Sequence, residues 1–167
     1  MRSAVVRLEA ACQKIFGIAL VAVFAAIVIV GGLQVFNRFV LNMSLSWSEE
    51  FQRFGQAWLV FLGVPLAYSK AMNIGSAFFI QKLPKTIRKV LVILIDLTWL
   101  TIGAVLVVTG IRIVRVNVSQ LSAGMDISMA IVYSIVIVSG IYIALIAVTR
   151  LATKPGEDGE QLESEQW

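Results

Sequence analysis

Apolar residues in this chain fall in long, nearly uninterrupted blocks, without the alternating faces of a soluble domain. Ile15 to Phe36 carries no charge, and at 1.5 Å per helical residue it covers a bilayer core of about 30 Å. Further blocks run from about Glu49 to Tyr68, from Val90 to Ile111 and from Met129 to Val148. In lipid, backbone polar groups must be satisfied within the segment, so each block is expected to be a helix. The pattern predicts an all-α integral membrane protein with four transmembrane helices. A signal peptide would have a shorter apolar core with a small-residue cleavage site after it, so the first block is read as a retained helix. Ala19, Ala22, Ala25 and Ala26 give that helix a small-residue face for close packing.

The blocks differ in their polar content. The second is purely apolar only from Ala57, which puts Gln52, Arg53 and Gln56 within or just above the membrane boundary, and Pro65 is a candidate bend near its far end. The third holds one charge, Asp96, and the fourth none. Met72 to Leu83 is apolar but too short to span; it reads equally as an interfacial segment or a packed loop. Pro84 suits the first turn of the third helix. The four spans define a membrane domain over 1–154. Residues 155–167 contain five acidic residues and no base, which predicts a disordered tail.

Composition narrows the function classes. The 167 residues are 59% hydrophobic and 14% charged, with a formal net charge of +4. The bases are scattered through the loops and form no basic helix, so nucleic acid is not an expected partner. Histidine is absent, which removes the commonest metal ligand and the commonest general base at neutral pH. One cysteine, Cys12, allows no disulfide within the chain and no zinc set. Neither a catalytic centre nor a metal site or cofactor is expected.

Lysine and arginine placement orients the spans. With the N-terminus in the cytoplasm, Arg2, Arg7, Lys14, Lys70, Lys82, Lys85, Arg88, Lys89, Arg150 and Lys154 lie inside, and Arg38, Arg53, Arg112 and Arg115 lie outside. Ten against four predicts that both termini are cytoplasmic.

A polar knot then falls on the outer side, at Asn37-Arg38-Phe39 and from Ser46 to Arg53. Ser46 and Glu49 have capping-box spacing, which starts the second helix near Ser46. Glu49 with Arg53, and Glu50 with Arg53, have the spacing of helix-surface ion pairs, and Gln56 continues the stripe. One reading is helix capping with local ion pairs and Trp47 as an interfacial anchor. The other is that Arg38 pairs with Glu49 or Glu50 across the turn, or that these charges meet a partner protein. Charge near the membrane costs about 2.5–3.5 kcal/mol per residue on insertion scales, which favours pairing.

Asp96 lies about two turns inside the third helix. It is either structural glue between helices, with Lys89 on the same face, or an acid that binds a proton or sodium. Arg112, Arg115 and Asp126 at the outer ends of the last two helices are either solvated at the headgroups or a docking surface for an external protein.

Asn37-Arg38-Phe39, Trp47-Ser48-Glu49-Glu50, Trp58, Phe61-Leu62-Gly63 and Ala67 together resemble the small membrane subunit of tripartite ATP-independent periplasmic (TRAP) transporters. The resemblance covers about Ile15 to Arg150 and is densest from Gln34 to Ala67. It departs after the second span, where the family often has a histidine and this chain has Asn73-Ile74-Gly75-Ser76. The resemblance implies a non-catalytic scaffold in the bacterial inner membrane. Its implied partners are a large membrane subunit and a periplasmic substrate-binding protein, in sodium-coupled uptake of an organic acid. A competing reading is an autonomous small homo-oligomeric transporter or channel with Asp96 as coupling acid. One acid and no inverted repeat speak against it.

Overall fold

The computed structural model describes residues 2–43, 45–71 and 84–153. The described residues form four helices and no strand: α1 (Arg2–Val40), α2 (Ser46–Ala71), α3 (Lys85–Val116) and α4 (Met129–Thr153). The expectations for Met72 to Leu83 and for 155–167 lie outside the described residues. Stretches long and apolar enough to cross a membrane occur in α1 (Glu9–Val40), α3 (Lys89–Val116) and α4 (Met129–Ala152). α2 has the length, 26 residues, but its first turns are polar. α1, α3 and α4 run beyond the apolar blocks because helical hydrogen bonding continues into the headgroup layer, where polar side chains are solvated. Pro84 takes the capping position just before α3, at φ −55° and ψ 143°.

Consecutive helices are antiparallel. α3 packs chiefly on α4, α1 on α2, and α2 also lies along α4. α4 is the central element: Ile143, Ile146 and Ala147 are fully buried. Leu62 of α2 meets Ile135 and Val136 of α4, with Ala19, Leu20 and Val23 of α1 packed around them. Toward the chain termini, Tyr68, Tyr142 and Ile146 form a second cluster with Cys12, Phe16 and Trp99.

A close backbone contact between helices lies away from the alanine face of α1. Of the alanine face on α1, Ala22 and Ala25 are exposed. Tight crossing occurs between α3 and α4, where a Cβ added to Gly103 would lie 2.9 Å from both the Gly140 carbonyl oxygen and the Ala144 nitrogen. Backbones approach this closely only where no side chain intervenes.

The α3–α4 connection is a compact hairpin. Leu121 and Ser128 form an isolated antiparallel bridge, and Ser122 N donates to Ile127 O at 2.9 Å. Ser128 caps α4: its hydroxyl accepts from the Ala130 amide at 3.3 Å and donates to Val118 O at 2.9 Å.

Candidate functional site

The polar knot is built where this hairpin rests on the first turns of α2. The Gly124 amide donates to Glu50 Oε2 at 2.9 Å. A Cβ at Gly124 would stand 3.2 Å from that oxygen and 3.3 Å from both Ser46 O and Trp47 Cα, so glycine permits the close approach. Glu50 Oε1 lies 3.7 Å from Arg53 Nη2. Ser46, Glu49, Glu50, Arg53, Ala123 and Gly124 line a cleft of about 330 Å³ that opens at this end of the bundle. Glu49 and Arg38 are exposed. Trp47 is half-buried, edge-on to Phe51 at 6.4 Å.

Below the knot, Gln52 donates to Gln34 of α1 and to Ser48 O. The Trp58 indole donates to Val132 O in the first turn of α4 at 3.0 Å. At the opposite end, the buried Asp96 carboxylate accepts from Tyr68 Oη at 2.8 Å, and Tyr68 stacks on Trp99 at 4.4 Å. Arg150 of α4 lies over the Tyr68 ring at 4.9 Å and donates to Ser69 O at 3.0 Å. Gln13 of α1 donates to Ser69 Oγ at 2.9 Å.

A buried acid joined to a neighbouring helix by a phenol, and charges gathered at one end of an apolar bundle, suit assembly better than bond-making. The described residues contain no cluster of metal-ligating side chains. Comparison with known proteins gives the family. Residues 27–154 match the family described as tripartite ATP-independent periplasmic transporters, DctQ component. The chain belongs to this family. It is 27% identical over 140 residues to a TRAP transporter small permease protein of Haemophilus influenzae, covering 83% of this chain and 86% of that protein. It is 32% identical over 88 residues to the sialic acid TRAP transporter small permease protein SiaQ of Vibrio cholerae, covering 52% of this chain and 51% of that protein. This chain is therefore a small subunit of a TRAP transporter, a multi-pass membrane protein whose family is a transport component.

Several sequence expectations for this TRAP subunit change in detail. The helix starts at Ser46 as expected, but the Ser46–Glu49 capping box is not formed among the described residues. Leu45 caps instead, its carbonyl accepting the Ser48 amide at 3.2 Å and the Ser48 hydroxyl at 2.7 Å. Of the two candidate ion pairs, only Glu50–Arg53 forms. Glu49 and Arg38 make no ion pair among the described residues, because Glu50 turns toward the hairpin and Arg38 faces outward at the end of α1. Asn37 closes α1: its carbonyl accepts from the amides of Leu41 and Met43, both at 3.1 Å, and its side chain donates to Leu33 O. Gln56, Arg112, Arg115 and Asp126 are exposed, Asp126 with φ +53° in the hairpin. Lys89 is exposed, and Asp96 accepts a hydrogen bond from Tyr68.

Among the contacts that sequence reasoning missed are those of Gln34, Gln13 and Arg150. Gln34 was a visible signal, a lone amide in an uncharged span, and Gln13 was a weaker one. Arg150 looked like one more inner-side base, and its contact with the α2 carbonyls needed the packing of α4 on α2.

Proposed function

We propose that this chain is the non-catalytic small subunit of a sodium-coupled organic-acid importer in the bacterial inner membrane. In this reading it scaffolds the large membrane subunit and helps a periplasmic substrate-binding protein to dock. The observation that carries the reading is the division of labour in the polar knot: Glu50 holds the hairpin, while Glu49, Arg38 and Arg53 remain exposed. Charges that stay exposed at the rim are available to another protein. Residues 1–154 form the membrane domain with both termini cytoplasmic, α2 supplies the fourth span, and 155–167 is an acidic cytoplasmic tail. Asn37, Arg38, Trp47, Glu49, Glu50, Arg53, Gln56 and Trp58 make up the assembly corner. Arg112, Arg115 and Asp126 face the binding protein. Asp96 is structural glue. The Vibrio cholerae relative's name points to a carboxylated sugar such as sialic acid as one member of the substrate class.

The test is co-expression with the large subunit and the binding protein of the same transporter. Co-purification with the large subunit, and uptake lost when this chain is deleted, are the expected results. A chain that purifies alone, with uptake unaffected by its deletion, would refute the proposal.

A further inference from the structure

We infer that the exposed face of α2 is a seam for a single transmembrane helix of the large subunit. This inference rests on the proposed function and assigns its interface to one helix face. Among the exposed residues of α2 are Glu49, Arg53, Gln56, Val60, Val64 and Ala67. Their spacing of three and four residues places them on one narrow stripe along the helix, since a turn takes 3.6 residues. The remaining turns of α2 pack into the bundle, with Leu62, Pro65 and Tyr68 buried. A stripe one residue wide matches one partner helix.

Depth decides against lipid as the occupant. Gln52 bonds Gln34, and a Cβ added to Gly55 would lie 2.7 Å from Ile27, so this part of α2 lies alongside 27–34 of α1. Those residues belong to the uncharged stretch Ile15 to Phe36. Arg53, 70% exposed, and Gln56 therefore face outward at a level where α1 carries no charge and a single amide, Gln34, that is already bonded to Gln52. An exposed guanidinium and amide at that depth require polar partners.

Some polar side chains of the other helices are satisfied within their own helix, while Ser139 and Tyr142 of α4 keep buried hydroxyls without a hydrogen-bond partner among the described residues. Thr98 and Thr101 of α3 donate to the carbonyls of Leu94 and Leu97, and Ser134 of α4 donates to Ile131 O. Gln56 makes no hydrogen bond among the described residues, and Arg53, 3.7 Å from Glu50 and 5.4 Å from the centre of the Phe54 ring, makes none either. The complementary helix carries acceptors opposite Arg53 and Gln56, a donor opposite Glu49, and small apolar residues opposite Val60 to Ala67.

The experiment places a photo-crosslinking amino acid at Gln56 or Val60, with Ile29 of α1 and Val105 of α3 as exposed apolar controls, in the chain co-expressed with the large subunit. Adducts to the large subunit from Gln56 and Val60, and none from the controls, are expected. If the two subunits co-purify but adducts arise only from Ile29 or Val105, the seam is wrong while the proposed function stands. Adducts only between two copies of this chain, or only with lipid, would also overturn the seam. If the subunits do not co-purify at all, the proposed function fails and the seam fails with it.

Discussion

Glu50 and Gly124 are 74 residues apart in sequence, yet the Gly124 amide donates to the Glu50 carboxylate at 2.9 Å. This contact joins the start of α2 to the hairpin between α3 and α4, and so ties together the two connections at that end of the bundle. Both partners are needed in kind. The carboxylate must reach out of the first turns of α2, and position 124 must lack a side chain for the backbone to come within reach.

Hydrogen exchange should report this latch directly. Glu50→Ala removes the acceptor, so amides from Ser122 to Ser128 should exchange faster than in the wild type. Glu50→Gln keeps an oxygen in the same place and should restore most of the protection. Equal exchange in all three proteins would show that the hairpin holds itself through its own bonds, such as Ser122 to Ile127.

Asp96 and Tyr68 are 2% and 3% exposed, and their bond joins α3 to α2. Tyr68→Phe keeps the stacking on Trp99 but takes a donor away from a buried carboxylate, a loss of about 1–3 kcal/mol. Asp96→Asn keeps an oxygen to accept the phenol and should cost less. Unfolding in detergent should rank the variants in that order, and uptake by the assembled transporter should survive in Asp96→Asn. Loss of uptake in a stable, assembled Asp96→Asn complex would return Asp96 to the role of coupling acid.

The helices were legible in the sequence because lipid removes every backbone alternative to them. Helix ends were less so: hydropathy marks the bilayer, while α1 continues to Arg2 and α4 to Thr153. The polar knot was legible as a set of residues but not as contacts. Local spacing offered Glu50 only helical neighbours such as Arg53, and the amide that binds it comes from the far hairpin. Glu49 and Arg53 illustrate the same limit, since i,i+4 spacing permits an ion pair without requiring it. The alanines of α1 guided only in part, since Ala19 packs against the α2–α4 cluster while Ala22 and Ala25 are exposed. Small residues permit close packing, but the two helices that use it are those whose glycines face each other, and facing is a property of the bundle.

That crossing yields a sharp contrast between glycines. At Gly103 an added Cβ would lie 2.9 Å from two backbone atoms, which cannot move aside as a side-chain end can. Gly103→Val should lower stability by about 1–3 kcal/mol or more through overpacking, and should loosen α3 from α4. Gly32, with nothing within 4 Å of its added Cβ, should accept alanine without loss of stability. Thermal unfolding of the two variants in one detergent measures the difference, and similar midpoints would show that the crossing can relax.

Arg150 is the last test, because its contacts separate charge from shape. Its Nη2 donates to Ser69 O at 3.0 Å, and its guanidinium covers the Tyr68 ring. The carbonyls of Tyr68 and Ser69 belong to the last turn of α2, so a cation there also meets the negative end of the helix dipole. Arg150→Met keeps the apolar stem and removes the charged donor, an expected loss of about 1.5–3 kcal/mol. Arg150→Lys can still reach one carbonyl and retains the charge. It also removes Nη1, which is buried with no hydrogen-bond partner among the described residues, so its net loss should be the smaller. Denaturant unfolding in detergent should therefore order the proteins wild type, Lys, Met. A lysine variant as unstable as the methionine variant would mean that the planar fork over Tyr68, and not the charge at the end of α2, is what α4 contributes there.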